Sequence, residues 1–225
     1  IRNVLDIGTG TGAFIHVLRK IFPKAKIIGV DPNQKSLATA RKYHPDVTFL
    51  GMEAEKLNFN DNTFDAVSIS MALHHLPKVK KGLKEIKRVV KPDGYIIISE
   101  NISDNLNPAQ EVHKMYHHFR SRIDRLTGTF HRKTFTKDAI LQMLKVAELP
   151  VQFFFEQRRN VNLAENETHL EERVEKMKLM LEKIKDRPEY EILLPQIEEF
   201  RTRALKYGFQ PATNLVIVIR KKIIR

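Results

Sequence analysis

The sequence has no cysteine among its 225 residues. Disulfide bonds, thiolate metal sites and covalent catalysis by a sulfur nucleophile are therefore excluded, and a reducing compartment is compatible with the composition. No apolar run approaches the roughly 20 residues that a membrane-spanning helix needs, and no charged-then-apolar leader opens the sequence. We therefore expect a soluble cytoplasmic protein. The start at Ile1, without an initiator methionine and directly before a predicted strand, is also compatible with a fragment that lacks upstream helices.

The chain is strongly basic, with a formal net charge of +12 and a pI of about 9.8. Clustered lysine and arginine attract phosphates, so a nucleic acid is one candidate partner. Most of the basic residues, however, alternate with acidic residues on predicted helix faces. The one unbroken cluster is Arg220-Lys221-Lys222, with Arg225 nearby. Charge alone therefore favours a solvated surface over a nucleic-acid interface.

Strand and helix patterns alternate along the first hundred residues, which predicts an α/β fold with a doubly wound parallel sheet. Helical spacing of apolar residues separates the strands, and Lys91-Pro92-Asp93-Gly94 predicts a turn in which the glycine adopts positive φ. The predicted strands are Val4–Ile7, Lys26–Val30, Val47–Leu50, Ala66–Ser70, Tyr95–Ser99, Val151–Phe155 and Asn214–Ile219.

The second half of the chain carries two helical insertions into what we expect to be a single domain over residues 1–225. The first covers residues 102–134, with one apolar helix face, and the second, over residues 163–208, predicts a helical hairpin that Gly208 ends. The default role of the hairpin is packing. A cap over the acceptor pocket is the first functional alternative, and a homodimer contact is the second.

A glycine-rich turn, Gly8-Thr9-Gly10-Thr11-Gly12, follows the first predicted strand and opens a helix. Ligands bind at this place in open α/β sheets, and glycines allow a ligand to approach the backbone closely. Gly8, Gly10 and Ala13 also fit the pattern of dinucleotide enzymes, which use such a turn to hold a pyrophosphate. A nicotinamide- or flavin-dependent oxidoreductase is therefore an open alternative.

Acidic residues at the ends of the strands favour a different ligand. Asp31, at the tip of the second strand, could accept hydrogen bonds from both hydroxyls of a ribose, or could only cap the next helix. Asp6 could bind an ammonium group, and Glu53 could accept from an adenine amino group. S-adenosylmethionine carries a sulfonium and an ammonium and lacks phosphate, so it suits this acidic set better than a dinucleotide does.

Residues 4 to 100 resemble the ubiquinone/menaquinone-biosynthesis-like superfamily of class I methyltransferases. The resemblance is carried by VLDIGTGTG, GVDPN, GMEAEKLNF, DNTFDAVSISMALHHL and EIKRVVKPDGYIIISE, in the family's order and spacing. It implies a Rossmann-like sheet of order 3-2-1-4-5-7-6 with an antiparallel last strand, and S-adenosylmethionine as the cofactor. It further implies that the cofactor is bound by Asp6, Gly8, Thr9, Gly10, Gly12, Asp31, Pro32, Glu53, Ala54 and Ser70. Glu53 is assigned with a one-residue shift, because Gly51-Met52-Glu53 stands where the family usually has aspartate directly after glycine.

The segment after the fourth strand bears on the methyl acceptor. Ser70-Met71-Ala72-Leu73 lacks the Asn/Asp-Pro-Pro-aromatic signature of amino methylation of DNA, the paired glutamates of arginine methylation and the acidic cluster of magnesium-dependent catechol transfer. A small-molecule acceptor, with an anionic one as an option, is the remaining expectation. His74 and His75 are candidate general bases, with packing as the alternative. A binding protein without turnover, for RNA or a protein partner, is the third interpretation.

Three histidines, His113, His117 and His118, lie on the predicted helix after the fifth strand, interleaved with basic residues. The spacing from His113 to His117 could bind a metal, but no further ligand pattern supports this. We therefore expect no metal and interpret the segment as a solvated basic helix face.

Overall fold

The computed structural model describes residues 1–222, and its seven strands form one sheet. The order β3-β2-β1-β4-β5-β7-β6 confirms the order that the resemblance implied. The strands are β1 (Asn3–Ile7), β2 (Lys26–Val30), β3 (Thr48–Leu50), β4 (Phe64–Ser70), β5 (Val90–Asn101), β6 (Val151–Gln157) and β7 (Asn214–Arg220).

The chain consists of two compact units, each of which contains helices. Unit 1 comprises Ile1–Glu100, Asp138–Phe155 and the residues from Leu215 onward, and unit 2 comprises Asn101–Lys137 and Glu156–Asn214. The helices are α1 (Ile15–Ile21), α2 (Gln34–Tyr43), α3 (Val79–Val89), α4 (Pro108–Leu126), α5 (Lys137–Val146), α6 (Glu167–Leu181), α7 (Glu189–Leu193) and α8 (Pro195–Tyr207). None of the helices within residues 1–222 is long and apolar enough to cross a membrane.

The central strand β1 pairs in parallel with both β2 and β4. Parallel sheets are covered on both faces, which explains why the interior of β1 is buried along its length. The last strand runs the other way. Asp93 and Gly94 exchange backbone hydrogen bonds with Lys221, whereas Ile102, later in the chain, pairs with Thr213. The sheet therefore has the antiparallel β7 that the resemblance implied.

The turn predicted at Lys91-Pro92-Asp93-Gly94 lies within β5 as an irregularity of the β4–β5 register. The backbone explanation given for it was wrong. Asp93, not Gly94, has a positive φ, of 60°. Glycine is required at position 94 because a Cβ there would approach the Asp65 and Lys91 carbonyl oxygens to 2.9 Å.

Unit 2 has its own core, which α4, α6 and α8 build together. The apolar face predicted for α4 is buried at Val112, Phe119 and Ile123, and both predicted hairpin stripes belong to the same cluster. Gly208 ends α8 with a φ of 83°, as its position predicted. The hairpin's stripes therefore pack against each other and against α4.

The basic cluster predicted at the end of the chain is engaged within unit 1. The Lys221 ammonium donates to Asn62 Oδ1 and to the carbonyl oxygens of Lys87 and Val90, at 2.7 to 2.9 Å. Arg220 lies 3.6 Å from Asp93. Arg225 lies outside the described residues. The Lys221 ammonium is therefore held by protein oxygens of unit 1.

Candidate functional site

The carboxyl ends of β1, β2 and β4 meet at one edge of the sheet in unit 1. The parallel register places Asp6 beside Gly29 of β2 and Ser68 of β4. This edge, at the carboxyl ends of the strands, is where open α/β sheets bind ligands.

The three glycines of the turn after β1 all have positive φ, between 54° and 85°. They differ in what surrounds them. A Cβ on Gly8 would lie 2.4 Å from the Ala72 Cβ, and one on Gly12 would lie 2.7 Å from the His44 ring. Nothing lies within 4 Å of a Cβ built on Gly10. Gly8 and Gly12 are therefore required by packing, whereas Gly10 borders open space that a ligand can fill.

Asp31 points at the glycine turn. Its Oδ2 accepts from the Gly10 amide at 3.0 Å, and its Oδ1 accepts from the Asn33 amide at 2.8 Å. The cap of α2 is Asn33, whose side chain accepts from the Ser36 amide. Asp31 is therefore not the side-chain cap of α2, and its carboxylate lies beside the open position at Gly10.

Asp6 is a buried carboxylate, 1% exposed. The Ser68 hydroxyl donates to its Oδ1 at 2.7 Å. Its Oδ2 and the neighbouring Thr9 Oγ1 have no hydrogen-bond partner in residues 1–222. Burial raises the pKa of Asp6 to about 6, against the lowering effects of the nearby Ser68 and Thr9 hydroxyls. A buried acidic oxygen without a donor fits a ligand that brings an ammonium or another hydrogen-bond donor.

The residues predicted to contact the adenosine follow β2 and β3. Met52, after β3, donates its amide to the Asp31 carbonyl oxygen at 3.3 Å, so the two segments run side by side. Pro32 and Glu53 are exposed there. Ala54 is buried, and it lies close to Gly82 of α3. Its side chain is therefore part of the packing between this segment and α3.

The segment after β4 brings His74 onto a glutamate that the sequence analysis did not single out. His74 Nδ1 lies 2.9 Å from Glu100 Oε1, and the His74 amide donates to Glu100 Oε2 at 3.3 Å. Both side chains are buried. A carboxylate can only accept in this contact, so Nδ1 is the donor. The ring of His75 lies 4.3 Å from that of His74, and Ser70 stands in register with Ser99 one step before Glu100.

The histidines of α4 in unit 2 correct the expectation of a solvated basic face. His113, His117 and His118 are all half-buried. His113 stacks on Phe209 with ring centroids 5.4 Å apart, and burial lowers its pKa to about 4. His117 Nε2 instead lies 3.1 Å from His131 Nε2. The first two histidines therefore face different partners.

Comparison with known proteins identifies the first part of the chain. Residues 5–98 match the family model described as "Methyltransferase domain". This stretch is therefore similar to methyltransferase domains. The match confirms the resemblance drawn from the motifs, and it contains the glycine turn, Asp31 and His74.

Curated proteins that are similar to this chain include two whose names refer to quinones. The demethylmenaquinone methyltransferase of Chlorobaculum tepidum is 34% identical over 136 residues, 60% of this chain and 55% of the relative. The ubiquinone/menaquinone biosynthesis C-methyltransferase UbiE of Pasteurella multocida is 32% identical over 121 residues, 51% of this chain and 45% of the relative. The chain thus spans about half the length of these relatives.

Solved structures share the fold over nearly the whole chain. A putative methyltransferase from Bacillus halodurans superposes with a TM-score of 0.65 at 22% identity, covering 98% of this chain and 93% of its own. The YcgJ protein of Bacillus subtilis gives a TM-score of 0.66 at 18% identity, covering 99% and 92%. At these identities the likeness shows the fold alone.

Proposed function

We propose that this chain transfers a methyl group from S-adenosylmethionine to a small-molecule acceptor. The observation that carries the proposal is the buried Asp6 carboxylate, of which one oxygen has no hydrogen-bond partner within residues 1–222. The ammonium of the cofactor's methionine part would satisfy this oxygen, directly or through a water. Asp31, beside Gly10, would accept from the ribose hydroxyls.

The residues that would hold the cofactor come from four strand ends in unit 1. The methionine part would lie against the turn after β1, the ribose at the end of β2 and the adenine after β3, with Ser70 at the end of β4. The proposed set is Asp6, Gly8, Thr9, Gly10, Gly12, Asp31, Pro32, Glu53, Ala54 and Ser70. Within it, burial of Ala54 supports a backbone contact rather than a side-chain one.

The same geometry opposes a dinucleotide. A pyrophosphate over Gly10 would bring negative charge beside the carboxylates of Asp31 and Asp6, and neither carboxylate has an ion-pair partner among residues 1–222. A sulfonium nucleoside brings positive charge to the same place. The electrostatics therefore favour S-adenosylmethionine over a nicotinamide cofactor.

We further propose a hydroquinone ring as the acceptor class. The two quinone-pathway relatives, whose names give a demethylmenaquinone and a quinone C-methyltransferase, support it. Loss of a phenolic proton turns the ring carbon next to the oxygen into a nucleophile, which displaces the methyl group as the sulfur takes the bonding electron pair. The ring carbon's proton is then lost to restore aromaticity. The phenolate also makes the attacking form of the acceptor anionic.

His74 is the proposed proton acceptor for the phenolic hydroxyl. A Glu100 carboxylate that accepts from Nδ1–H would favour the tautomer in which Nε2 accepts a proton. The ion pair that results, a protonated imidazole beside a carboxylate, is stabilised in a buried site. Glu100 is a positioning residue in this scheme.

Calorimetry tests the cofactor proposal. S-adenosylhomocysteine should bind the purified chain with a dissociation constant in the micromolar range or tighter, and NADH should give no heat at the same concentrations. Asp31→Asn should weaken S-adenosylhomocysteine roughly 10- to 100-fold, because a hydrogen bond to a charged group contributes about 1.5–3 kcal/mol. Asp186→Asn, an exposed substitution in unit 2 with the same charge change, is the matched control.

The opposite results would each reject part of the proposal. Tighter binding of NADH than of S-adenosylhomocysteine would favour an oxidoreductase. Methyl transfer to reduced quinones is measured by mass spectrometry with a trideuteromethyl donor. Binding of S-adenosylhomocysteine without such transfer would favour a binding protein. Equal loss of affinity in Asp31→Asn and Asp186→Asn would remove Asp31 from the site.

A further inference from the structure

Unit 2 contains a cavity of about 300 Å³ that the proposed methyl transfer does not use. Its walls come from α4 and α8, with Lys133 contributed by the segment that follows α4. The cavity lies wholly within unit 2. It is at the small end of the range for small-molecule sites, so its occupant is smaller than a dinucleotide.

The charges around this cavity do not balance. Lys114, His118 and Arg122 are four residues apart on α4 and share one side of the helix. Glu111 pairs with Lys114 at 2.8 Å, and the second wall carboxylate, Glu199, pairs with Arg203 at 3.5 Å. Each acidic side chain of the cavity is thus already matched by a cation.

Two further cations of the cavity have no such match. Arg122 and Lys133 make no ion pair or side-chain hydrogen bond within residues 1–222; Arg122 is half-buried, and Lys133 is exposed. The Arg203 Nε, although buried, also lacks a hydrogen-bond partner in the same part of the chain. A half-buried arginine is costly to leave unpaired, so three donors from three chain segments call for one negatively charged acceptor.

The lowered pKa of His118 is consistent with the same excess of positive charge around the cavity. Burial, together with the charges of Lys133 and Lys114, lowers its pKa to about 4, whereas Glu111 acts in the opposite direction. Its Nε2 lies 3.1 Å from Thr134 Oγ1. The ring is therefore neutral at pH 7, and it adds no charge to the cavity.

The floor of the cavity is apolar, with Met115 and Phe119 among its lining residues. From the unmatched cations, the buried Nε and this floor, we propose that unit 2 binds a small phosphomonoester whose organic part is apolar. A phosphomonoester carries about −1.5 to −2 charge at pH 7, which balances two cations better than a carboxylate does. Arg122 and Lys133 contact its oxygens, Arg203 Nε donates to it, and the apolar part packs on Met115 and Phe119.

The proposal is tested on the full chain without any methyl donor, so its outcome does not depend on the methyltransferase assignment. Phenyl phosphate, benzoate and inorganic phosphate serve as probes in calorimetry at fixed chloride concentration. Phenyl phosphate should bind more tightly than benzoate, which lacks the second charge, and more tightly than inorganic phosphate, which lacks the apolar part. Arg122→Gln and Lys133→Gln should each weaken phenyl phosphate roughly 10- to 100-fold. The exposed Lys176→Gln, on α6, is the matched control and should leave binding unchanged.

Imidazole NMR of His118 gives the second readout. Bound phenyl phosphate should raise the pKa of His118 from about 4 towards 6.5, because negative charge in the cavity stabilises the imidazolium. No change of this pKa at saturating phenyl phosphate would overturn the assignment of the cavity. Equal weakening by Lys176→Gln and Lys133→Gln would show only general charge attraction and would overturn it too. Tighter binding of benzoate would reject the phosphate, and equal binding of inorganic phosphate would reject the apolar contact.

Discussion

The Ser68 hydroxyl donates to Asp6 Oδ1 at 2.7 Å across the β1–β4 pair, and the other oxygen of this buried carboxylate has no donor among residues 1–222. One hydrogen bond does not compensate the loss of water around a carboxylate. The pKa of Asp6 is accordingly raised to about 6. In the free protein the ionised Asp6 carboxylate is therefore unfavourable, and the ammonium of the proposed ligand would stabilise it.

The first prediction concerns stability against pH. Because the folded pKa of Asp6 lies above the unfolded value, its contribution is fully present below pH 3.8 and is lost as pH rises through about 6. The free energy of unfolding of the wild type should therefore fall by roughly 2 kcal/mol relative to Asp6→Asn between pH 4 and pH 7. Urea titrations of both proteins across this range measure it. A difference that stays constant with pH would show that Asp6 does not titrate in this window.

Ligand binding should show the reverse dependence on pH for the same residue. An ammonium beside Asp6 lowers its pKa, so binding of S-adenosylhomocysteine releases a proton near pH 6. Affinity of the wild type should rise between pH 5 and pH 7, relative to that of Asp6→Asn. Calorimetry in two buffers of different ionisation enthalpy detects the proton directly. Uptake of a proton on binding would exclude an ammonium at this place.

Gly10 and Gly128 provide a matched pair for the open space beside the turn. Both have positive φ, and a Cβ built on either meets nothing within 4 Å. Alanine at either position should therefore cost about 1–2 kcal/mol of stability from the left-handed backbone alone. Only Gly10→Ala should also lower affinity for S-adenosylhomocysteine, roughly 10- to 100-fold, because the methyl group would occupy ligand space. Unchanged affinity in Gly10→Ala would place the ligand elsewhere.

Glu100→Gln tests the proposed role of His74. An amide cannot hold the Nδ1–H tautomer as a carboxylate does, so kcat should fall on the order of 10²-fold while KM for S-adenosylmethionine stays near the wild-type value. The pH profile of kcat should change as well. His74→Gln should be at least as impaired, and His75→Gln much less. Retained affinity for S-adenosylhomocysteine shows that each variant is folded.

Two results would contradict this scheme. A larger loss of kcat in His75→Gln than in His74→Gln would make His75 the base. A Glu100→Gln variant with wild-type kcat and pH profile, but lower stability, would reduce the His74–Glu100 pair to a structural contact.

The sequence predicted those parts of the site that depend on short-range patterns. The glycine turn directly follows β1, and Asp31 directly follows β2, so the parallel register alone brings them together. The pairing of His74 with Glu100 was missed because 26 residues separate them. The pairing depends on which residue of β5 lies beside the end of β4. Because the β4–β5 register is irregular before Tyr95, the spacing of residues in the sequence does not predict that position.

The histidines of α4 show a second limit of the same kind. The apolar stripe through Val112 and Phe119 predicted correctly which face of the helix is buried. Residues beside such a stripe are covered or exposed according to what else packs there, and His131 from the following segment lies against His117. Helical spacing within α4 contains no information about that segment.

Neighbouring lysines at the end of β7 should differ in their contribution to stability, because Lys221 is half-buried and Lys222 is exposed. Lys221→Met would leave the carbonyl oxygens of Lys87 and Val90 without their donor, which should lower the free energy of unfolding by about 1–3 kcal/mol. The exposed Lys222→Met should change it by less than about 0.5 kcal/mol. Urea unfolding at pH 7 measures both.

A nucleic-acid interface at this end of the chain would instead make the two substitutions weaken oligonucleotide binding alike, with the same loss of salt dependence. We expect no such parallel loss, because the ammonium of Lys221 is held by three protein oxygens and is not available to a phosphate.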